Sequence, residues 1–344
     1  MRYLVTGAQG FAGRFVCAEI LRSDPQATVV GTGRSIELHA AFTHEITWQE
    51  RRFAAPLTSA LRSFDRDRYR YVRCDLGDEN GLDLLAQRSA PDVVIHLAAA
   101  LRDDAAGILI ESNVGGTAAL IGALAKLVRK PLLILGSSGS VYGLPQSLPL
   151  SEEQRCAPHE PYAMSKLAAE LVTRVLTANA GIPAIAARIF NIAGPGQEER
   201  HVCGRFAAQA AAIMCGDSPP VLQVGDLRPT RDFIDVRDVA RAIVSLAKNG
   251  TPGEIYNVAT GSEITIGEVL TLTLRAARLE GKVAFVERYA RAADVSRAYA
   301  DISKLRACGF DAAFPIDRTV ADLLTYYVSD VAHAAAGATI SATN

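Results

Sequence analysis

Three glycines, each three residues apart, follow directly on the first apolar segment of the chain. Residues 3–5 (Tyr-Leu-Val) predict a buried strand, Gly7, Gly10 and Gly13 come next, and residues 15–21 return to helical spacing. In such a strand–turn–helix the backbone comes close to a phosphate, and the free amides of the first helical turn attract it. The spacing is G-x-x-G-x-x-G, one residue different from the usual G-x-G-x-x-G. We therefore predict a dinucleotide site, with an ordinary tight turn as the alternative.

Strands and helices then alternate along the chain, which predicts an α/β fold built on a doubly wound parallel (Rossmann-type) sheet. In this architecture ligands lie beyond the carboxyl ends of the strands. The further candidate strands are residues 28–31, 71–75, 92–96 and 132–135.

Composition narrows the class of protein. A net charge of −1 over 344 residues offers no electrostatic attraction for nucleic acid or for an anionic membrane. The six cysteines lack C-x-x-C spacing, which favours small core residues over a metal site or a disulfide framework. The first strand begins at residue 2 and apolar runs are short, so we expect a cytoplasmic protein without a membrane span.

The end of the second candidate strand indicates which dinucleotide is bound. An acidic residue there bonds the ribose 2′-hydroxyl of NAD, whereas an arginine accommodates the 2′-phosphate of NADP. Here the sequence is Gly33-Arg34, without a carboxylate. NADP(H) is therefore favoured, NAD(H) stays possible, and a solvated loop arginine is the alternative for Arg34.

Later strand ends supply further candidates for the cofactor site. Asp75 and Leu76 lie where an adenine ring would be met, and small residues after the 92–96 strand let a cofactor lie against the backbone. We expect His96 to be a hydrogen-bonded residue at a strand end. The small or apolar residues that follow it are Leu97, Ala98 and Ala99.

The structure and role of residues 35–70 are less clear from the sequence. They contain Trp48 and several arginines. A solvated helical face is the expectation for this segment, and a contribution to a phosphate pocket is the alternative.

Tyr162 and Lys166 are four residues apart at the start of a predicted helix, so they share one helical face. A lysine ammonium beside a phenol favours the phenolate and lowers the pKa of the tyrosine, which makes it a usable acid/base. Ser138 lies at the end of the preceding strand and Asn113 on the helix before that strand.

In these residues the chain resembles the extended short-chain dehydrogenases/reductases, in the group of nucleotide-sugar epimerases, dehydratases and reductases. The resemblance runs from residue 2 to residue 326. It rests on the segments TGAQGFAG, HLAA, NVGGT, SSGSVYG, PYAMSK, RIFNIAGPGQ, RDFIDVRDVARA and GEIYNVATG.

The resemblance implies roles for these residues. Tyr162 would be the acid/base, Lys166 its partner, Ser138 the second hydroxyl and Asn113 part of a proton relay; Tyr162 and Lys166 would also contact the cofactor. A nucleotide-diphosphate sugar would be the substrate, and the protein would be a homodimer. The implied substrate-binding residues are Ser138, Ser140, Asn191, Arg205, Arg231 and Arg291. Ion pairs with Asp232 and Asp294 are the alternative for the last two arginines.

The resemblance also divides the chain into domains. Residues 1–188 and 233–260 are expected to form the dinucleotide-binding domain. A smaller, discontinuous C-terminal domain of residues 189–232 and 261–330 would bind the nucleotide sugar. Residues 331–344 lack periodicity, and we expect a disordered tail.

Several reactions occur in this family. A 4,6-dehydratase carries a carboxylate pair where this chain has Gly139 and Ser140, so the sequence argues against a dehydratase. The segment from residue 224 to residue 240 is similar to GDP-4-keto-6-deoxymannose reductases and favours NAD(P)H-dependent reduction of a C4 keto group. A 4-epimerase with retained NAD is the alternative, and a non-catalytic sensor or scaffold is a third hypothesis.

Overall fold

Alternating strands and helices make up the chain in a computed structural model that describes residues 1–289 and 295–341. The strands are β1 (Arg2–Thr6), β2 (Thr28–Gly33), β3 (Ala41–Trp48), β4 (Arg51–Pro56), β5 (Tyr69–Arg73), β6 (Val93–His96), β7 (Leu132–Ser138), β8 (Ala184–Ile189), β9 (Asn191–Ala193), β10 (Val221–Gly225), β11 (Thr230–Arg231), β12 (Phe233–Asp235), β13 (Ile255–Val258), β14 (Ile264–Thr265), β15 (Ala284–Tyr289) and β16 (Arg297–Ala298). The helices are α1 (Phe11–Ser23), α2 (Glu79–Ser89), α3 (Ala106–Leu109), α4 (Gly116–Ala125), α5 (Pro161–Ala180), α6 (Val202–Met214), α7 (Val236–Asn249), α8 (Ile266–Ala276), α9 (Ser303–Ala307), α10 (Ile316–Tyr326) and α11 (Ala332–Ser341).

Seven of the strands form one parallel sheet in the order β13-β8-β7-β6-β1-β2-β5. The order reverses between β1 and β6, and this reversal opens a crevice at the carboxyl ends of the two strands. Successive side chains alternate between two buried layers: Tyr3 and Val5 pack on one face of the sheet and Leu4 on the other. Helices α1 and α7 contact each other, as do α4 with α2 and α5. The predicted doubly wound sheet is confirmed.

The segment between β2 and β5 differs from the expectation. Instead of a solvated helical face, it forms the antiparallel β3–β4 hairpin. Phe42 and Ile46 are fully buried and Trp48 nearly so, because alternate residues of β3 face the core. Apolar residues therefore recur at every second position of β3, but the charged residues of the segment make this alternation hard to recognise in the sequence.

A smaller group of elements comes from two separate chain segments. Helices α6, α8 and α10 pack together, and short sheets join β10 with β15 and β11 with β14 and β16. Between these segments, α7 and β13 return to the main sheet and its flanking helix α1. We expected the return to begin at Phe233, but β12 pairs with β9 in a separate two-stranded sheet.

Helices α3 and α4 are continuous through a π-helical turn, Ile110–Gly115. The resulting stretch, Ala106–Ala125, is the one described helix long and apolar enough to cross a membrane by length and composition. We expected no such run. The stretch contacts α5 and α2, and its buried polar residues, Asn113 and Thr117, are hydrogen-bonded inside the fold. This packing is typical of a core helix.

The end of the chain also differs from the expectation. Within the tail predicted to be disordered, the described residues 331–341 are helical instead, and a second π-helical turn, Tyr327–Val331, leads from α10 into α11. Val331 is fully buried and Ala335 nearly so. Alanine has the highest helix propensity, and burial of these two side chains adds tertiary support that the composition did not reveal.

Candidate active site

The glycine-rich turn between β1 and α1 is closely packed against the next strand end. Gly7 has φ +68°, and a Cβ there would lie 2.8 Å from the backbone nitrogen of Ala98. A Cβ on Gly13 would lie 2.1 Å from the carbonyl oxygen of Gly7. No described side chain caps α1, and its first turn holds no acidic residue. The first amides of α1 are therefore open to an anion, and the turn fits a dinucleotide pyrophosphate.

His96 is held by hydrogen bonds at the end of β6. The Thr117 hydroxyl donates to the carbonyl oxygen of Asn113 (2.6 Å), so it accepts from Nε2 of His96 (3.0 Å). The ring Nδ1 then accepts from the hydroxyl of Thr6 (2.7 Å), which in turn accepts from the amide of Ala98 (3.1 Å). Burial, and secondarily the charge of Lys166, lowers the pKa of His96 to about 3. The prediction of a structural histidine is confirmed.

A cavity of about 1390 Å³ lies at the carboxyl ends of the sheet strands. It reaches from the glycine-rich turn to Ser138 and Asn191. All of the residues predicted for the cofactor line this cavity: Gly7, Gly10, Phe11, Gly13, Arg34, Asp75, Leu76, Leu97, Ala98, Ala99, Tyr162 and Lys166.

One end of the cavity is formed by the residues that follow β2 and β5. Arg34 is exposed there, and its carbonyl oxygen accepts a hydrogen bond from Nε of Arg73 (2.8 Å). The hydroxyl of Tyr71 donates to the carbonyl oxygen of Ser35 (3.1 Å). A Cβ on Gly33 would lie 3.0 Å from that hydroxyl. Arg34 therefore lines this end of the cavity, and a side chain at position 33 would crowd the Tyr71 hydroxyl.

Ser138 and Tyr162 face each other across the other part of the cavity. Both side chains line the cavity, and the Ser138 hydroxyl accepts from the hydroxyl of Ser140 (3.0 Å). Lys166 is buried behind them and donates from Nζ to the carbonyl oxygen of Gly136 (2.8 Å). Two hydroxyls near one point can bind a carbonyl oxygen and deliver a proton to it.

The electrostatics of Tyr162 depart from the expectation. Burial raises the pKa of this phenol, and the opposing influences are the Arg102 charge and the hydrogen bond with Ser138. Lys166 lies 6.0 Å from the centre of the Tyr162 ring, and its own pKa is lowered to about 8 by burial, with Glu170 opposing that shift. The net shift in the pKa of Tyr162 is therefore upward, opposite to the lowering that the sequence predicted.

Asn113 lies in the π-helical turn, away from the cavity wall. Its Oδ1 accepts from the amide of Ala100 (2.7 Å), and its Nδ2 donates to the hydroxyl of Ser165 (2.9 Å). Ser165 donates to the carbonyl oxygen of Tyr162 (2.8 Å). Asn113 thus braces the first turn of α5, and its role in a proton relay stays a prediction.

A buried ion pair between Glu170 and Arg188 lies beneath these residues. Glu170, one helical turn beyond Lys166, accepts from Nε and Nη2 of Arg188 (3.0 and 2.8 Å) and from the hydroxyl of Ser137 (2.5 Å). Both charged side chains are 6% exposed or less, so each depends on the other for its charge. These contacts of Glu170 connect α5 with the ends of β7 and β8.

The residues predicted for the substrate are more scattered. Asn191 lines the cavity, whereas Ser140, Arg205 and Arg231 lie outside its described lining, and Arg291 lies outside the described residues. Burial, and then the charge of Arg102, lowers the pKa of Arg231.

The alternatives for these arginines are also informative. Asp232 is not the ion-pair partner of Arg231, because its carboxylate accepts hydrogen bonds from the amides of Thr260 and Gly261 (both 2.9 Å). Arg205 donates to the carbonyl oxygens of Glu199 (3.3 Å) and Arg200 (3.2 Å). The substrate roles of Arg205 and Arg231 stay predictions.

Other cavity residues escaped the sequence analysis. Arg102 lies three residues beyond HLAA and pairs with Glu160 (2.8 Å), the residue before α5. For the hairpin, a phosphate pocket was only the alternative to a solvated face. Further lining residues that were not predicted include Thr43, His44, Asp103, Glu198, Arg200 and His201.

Comparisons with known proteins agree with this geometry. The family profile described as "NAD dependent epimerase/dehydratase family" matches residues 3–259. A GDP-6-deoxy-D-mannose reductase of Pseudomonas aeruginosa is 39% identical over 198 residues, which span 55% of this chain and 64% of that relative. A UDP-glucose 4-epimerase of Mycolicibacterium smegmatis is 29% identical over 279 residues, or 79% of this chain and 81% of the relative.

Solved structures share the whole architecture. RMD from Pseudomonas aeruginosa, complexed with NADPH, superimposes with a TM-score of 0.77 and 28% identity, covering 96% of this chain and 100% of its own. The UDP-glucuronic acid 4-epimerase of Bacillus cereus, with UDP-glucuronic acid and NAD, gives a TM-score of 0.79 and 25% identity at the same coverage. Sequence, fold and site together show that the chain belongs to the NAD dependent epimerase/dehydratase family, as its motifs indicated.

Proposed function

We propose that this protein is a nucleotide-sugar oxidoreductase that reduces the C4 keto group of a nucleotide 4-keto-6-deoxyhexose. The observation that carries the proposal is that Ser138 and Tyr162 lie on the wall of one cavity that also contains the glycine-rich turn. A hydride donor and a proton donor can therefore reach one carbonyl group from the same cavity.

The chain's own residues divide the work of this reduction. A bound nicotinamide cofactor supplies the hydride to the carbonyl carbon. Ser138 donates a hydrogen bond to the carbonyl oxygen, and Tyr162 transfers its phenolic proton to that oxygen as negative charge develops there. Lys166 is buried, and its ammonium charge stabilises the phenolate that remains.

The protonation state of Tyr162 is compatible with reduction. Burial raises the pKa of Tyr162, so the phenol keeps its proton at neutral pH. Reduction of a ketone needs a proton donor at this position.

NADPH is the proposed cofactor. Arg34 lines the cavity directly after β2 with no carboxylate beside it, and this arrangement suits a 2′-phosphate. The NADPH complex of the Pseudomonas aeruginosa reductase supports this choice. A GDP-linked sugar is the proposed substrate, because the relative with 39% identity is a GDP-6-deoxy-D-mannose reductase.

A 4-epimerase with retained NAD is the second candidate. It would use the same three side chains, and the likeness to the Bacillus cereus 4-epimerase, with its TM-score of 0.79, favours it. The two reactions differ in their net consumption of cofactor.

The ratio of NADPH oxidised to sugar reduced tests the proposal. We would incubate the protein with NADPH and GDP-4-keto-6-deoxymannose, follow absorbance at 340 nm, and identify the sugar product. One NADPH oxidised for each sugar reduced supports the reductase. Interconversion of UDP- or GDP-hexoses without net NADPH oxidation overturns it in favour of the epimerase.

A further inference from the structure

We propose that the β3–β4 hairpin is the outer wall of the dinucleotide site, where Thr43 and His44 contact the bound cofactor and the hairpin limits its release. The inference rests on the nicotinamide-cofactor part of the proposed function and is independent of the sugar. For residues 35–70, it takes up the alternative of a contribution to a phosphate pocket and extends it to the control of cofactor release.

The first observation is that the hairpin lies directly on the glycine-rich turn. The Thr43 amide and hydroxyl both donate to the carbonyl oxygen of Gln9 (3.1 and 3.5 Å). A Cβ on Gly10 would lie 4.0 Å from that hydroxyl oxygen. The Gln9 side chain, which is buried, also binds the backbone of Ile36 and Leu38 before β3. Accordingly, the turn that receives a pyrophosphate and the hairpin form one unit.

The second observation is that the same strand reaches the opposite side of the cavity. Nε2 of His44 is 2.8 Å from the carbonyl oxygen of Gly196, and the Thr47 amide donates to Oε1 of Glu199 (2.8 Å). Gly196 has φ +99°, and a Cβ there would lie 2.7 Å from the ring of Phe42. The hairpin thus connects the glycine-rich turn with the segment that precedes α6.

The hairpin is also anchored from behind. Phe42, Ile46 and Trp48 are buried, and Trp48 stacks on Tyr327 with ring centres 6.4 Å apart. The hydroxyl of Tyr326 donates to the carbonyl oxygen of Pro56 (3.0 Å). Moving the hairpin outward would expose these side chains to water, which makes its opening slow relative to the motion of a free loop.

The polar groups of the hairpin suit a dinucleotide. Both Thr43 and His44 line the cavity beside Gly10 and Phe11. The bond from the Thr43 hydroxyl to Gln9 is long (3.5 Å), and the hydroxyl can turn to donate to a phosphate oxygen instead. Because a carbonyl oxygen only accepts, Nε2 of His44 carries the hydrogen, and the neutral ring leaves Nδ1 as an acceptor for a ribose hydroxyl. Burial lowers the pKa of His44 to about 4, which keeps this ring neutral at pH 7.

Release kinetics test the inference without any sugar substrate. We would load the full-length protein with NADPH, displace it with excess NADP⁺, and measure the loss of NADPH fluorescence by stopped flow. His44→Ala and Glu199→Ala remove contacts of the hairpin with the cofactor site and with the opposite wall. Each is expected to raise the dissociation rate about tenfold, the loss of a single good hydrogen bond.

A matched control comes from the same hairpin. Arg52 pairs with Glu45 on the solvent side (2.8 Å) and is 72% exposed, so Arg52→Ala should release NADPH at the wild-type rate. Rates within about twofold of wild type for both test variants overturn the inference. An equal acceleration in Arg52→Ala also overturns it, because the effect would then be general loosening.

A second measurement uses the wild-type protein, so it tests the inference even if a variant fails to fold. Amide hydrogen exchange over Ala41–Trp48 is expected to slow when NADPH is added to the wild-type protein, and unchanged exchange there overturns the inference. Wild-type protein that binds neither NADPH nor NADH would overturn the cofactor assignment as well. Normal binding with unaffected hairpin variants would overturn the hairpin inference alone.

Discussion

Nζ of Lys166 lies 2.8 Å from the carbonyl oxygen of Gly136 and donates a hydrogen bond to it. Gly136 precedes Ser137 and Ser138 at the end of β7, and Ser137 bonds Glu170 on the same helix as the lysine. Two successive turns of α5 therefore hold the last residues of one strand. Consequently, Ser138 and Tyr162 keep their relative positions through contacts made behind them.

Replacing the phenol tests the proton donor. Tyr162→Phe is expected to lower kcat for keto-sugar reduction by about 10²- to 10⁴-fold, the usual contribution of a positioned acid. The Kd for NADPH, measured by fluorescence titration, should stay within about twofold of wild type. Tyr299→Phe, a partly buried tyrosine outside the cavity lining, serves as the control and should retain full activity. Retained activity in Tyr162→Phe would contradict the proposed mechanism.

Glu170 influences catalysis through Lys166. Its negative charge raises the pKa of Lys166, which burial lowers to about 8, so Glu170→Gln should lower that pKa further. Lys166 would then lose its proton at a lower pH. The alkaline limb of the kcat profile should therefore move to lower pH, as measured from pH 6 to pH 9.5. His96, the other titratable group facing Lys166 from β6, is neutral over this range.

The same substitution leaves the buried Arg188 without its counter-charge. A loss of about 3–5 kcal/mol in the free energy of unfolding is expected, measured by denaturant titration. Asp238→Asn is the matched control, since Asp238 is fully buried and pairs with Arg241 (2.6 Å) far from the cavity lining. It should lower stability and leave the pH profile unchanged. A shifted profile in this control would refute a specific role for Glu170.

Arg34 is expected to set the choice of dinucleotide. Arg34→Ala should weaken NADPH binding by about 10- to 100-fold, the loss of a charged hydrogen bond of ~1.5–3 kcal/mol, and leave NADH binding unchanged. Isothermal titration of both cofactors measures this difference. Arg66→Ala removes an exposed arginine elsewhere on the surface and should have no effect. Equal weakening of NADPH and NADH would contradict recognition of a 2′-phosphate.

We also propose that the protein is a homodimer, and one face of α5 offers the contact surface. Met164, Leu171 and Val175 lie along one helical stripe and are 44%, 46% and 53% exposed. Leu171→Glu should convert the dimer to a monomer, because a carboxylate would be buried unpaired at the interface. Light scattering after size-exclusion chromatography measures the mass. Leu84→Glu, on an exposed position of α2, is the control.

The sheet and the cofactor end of the site could be predicted because their signals are local. Glycine spacing, buried strands and the residues directly after them lie within short stretches, and the parallel architecture brings those strand ends together. For this reason Gly7, Arg34, Ala98 and Tyr162 all line the cavity, as expected.

What escaped prediction depends on contacts between distant segments. The hairpin contributes Thr43 and His44 through contacts with Gly196 and Glu199, more than 150 residues later in the chain. Likewise, Arg102 approaches Tyr162 only because its loop folds back over the start of α5, where it pairs with Glu160. No local pattern carries such information.

The π-helical turn Ile110–Gly115 makes one part of the protein unusually sensitive to chain length. Each helical residue turns the chain by about 100°. Deleting one residue here would therefore convert the π-helical turn into regular α-helix, but it would also rotate the residues on one side of the deletion relative to those on the other. Either Asn113 would swing away from Ala100 and Ser165, or the apolar face of α4 would rotate off α5. A single-codon deletion in this turn should therefore be more damaging than most substitutions at the same positions.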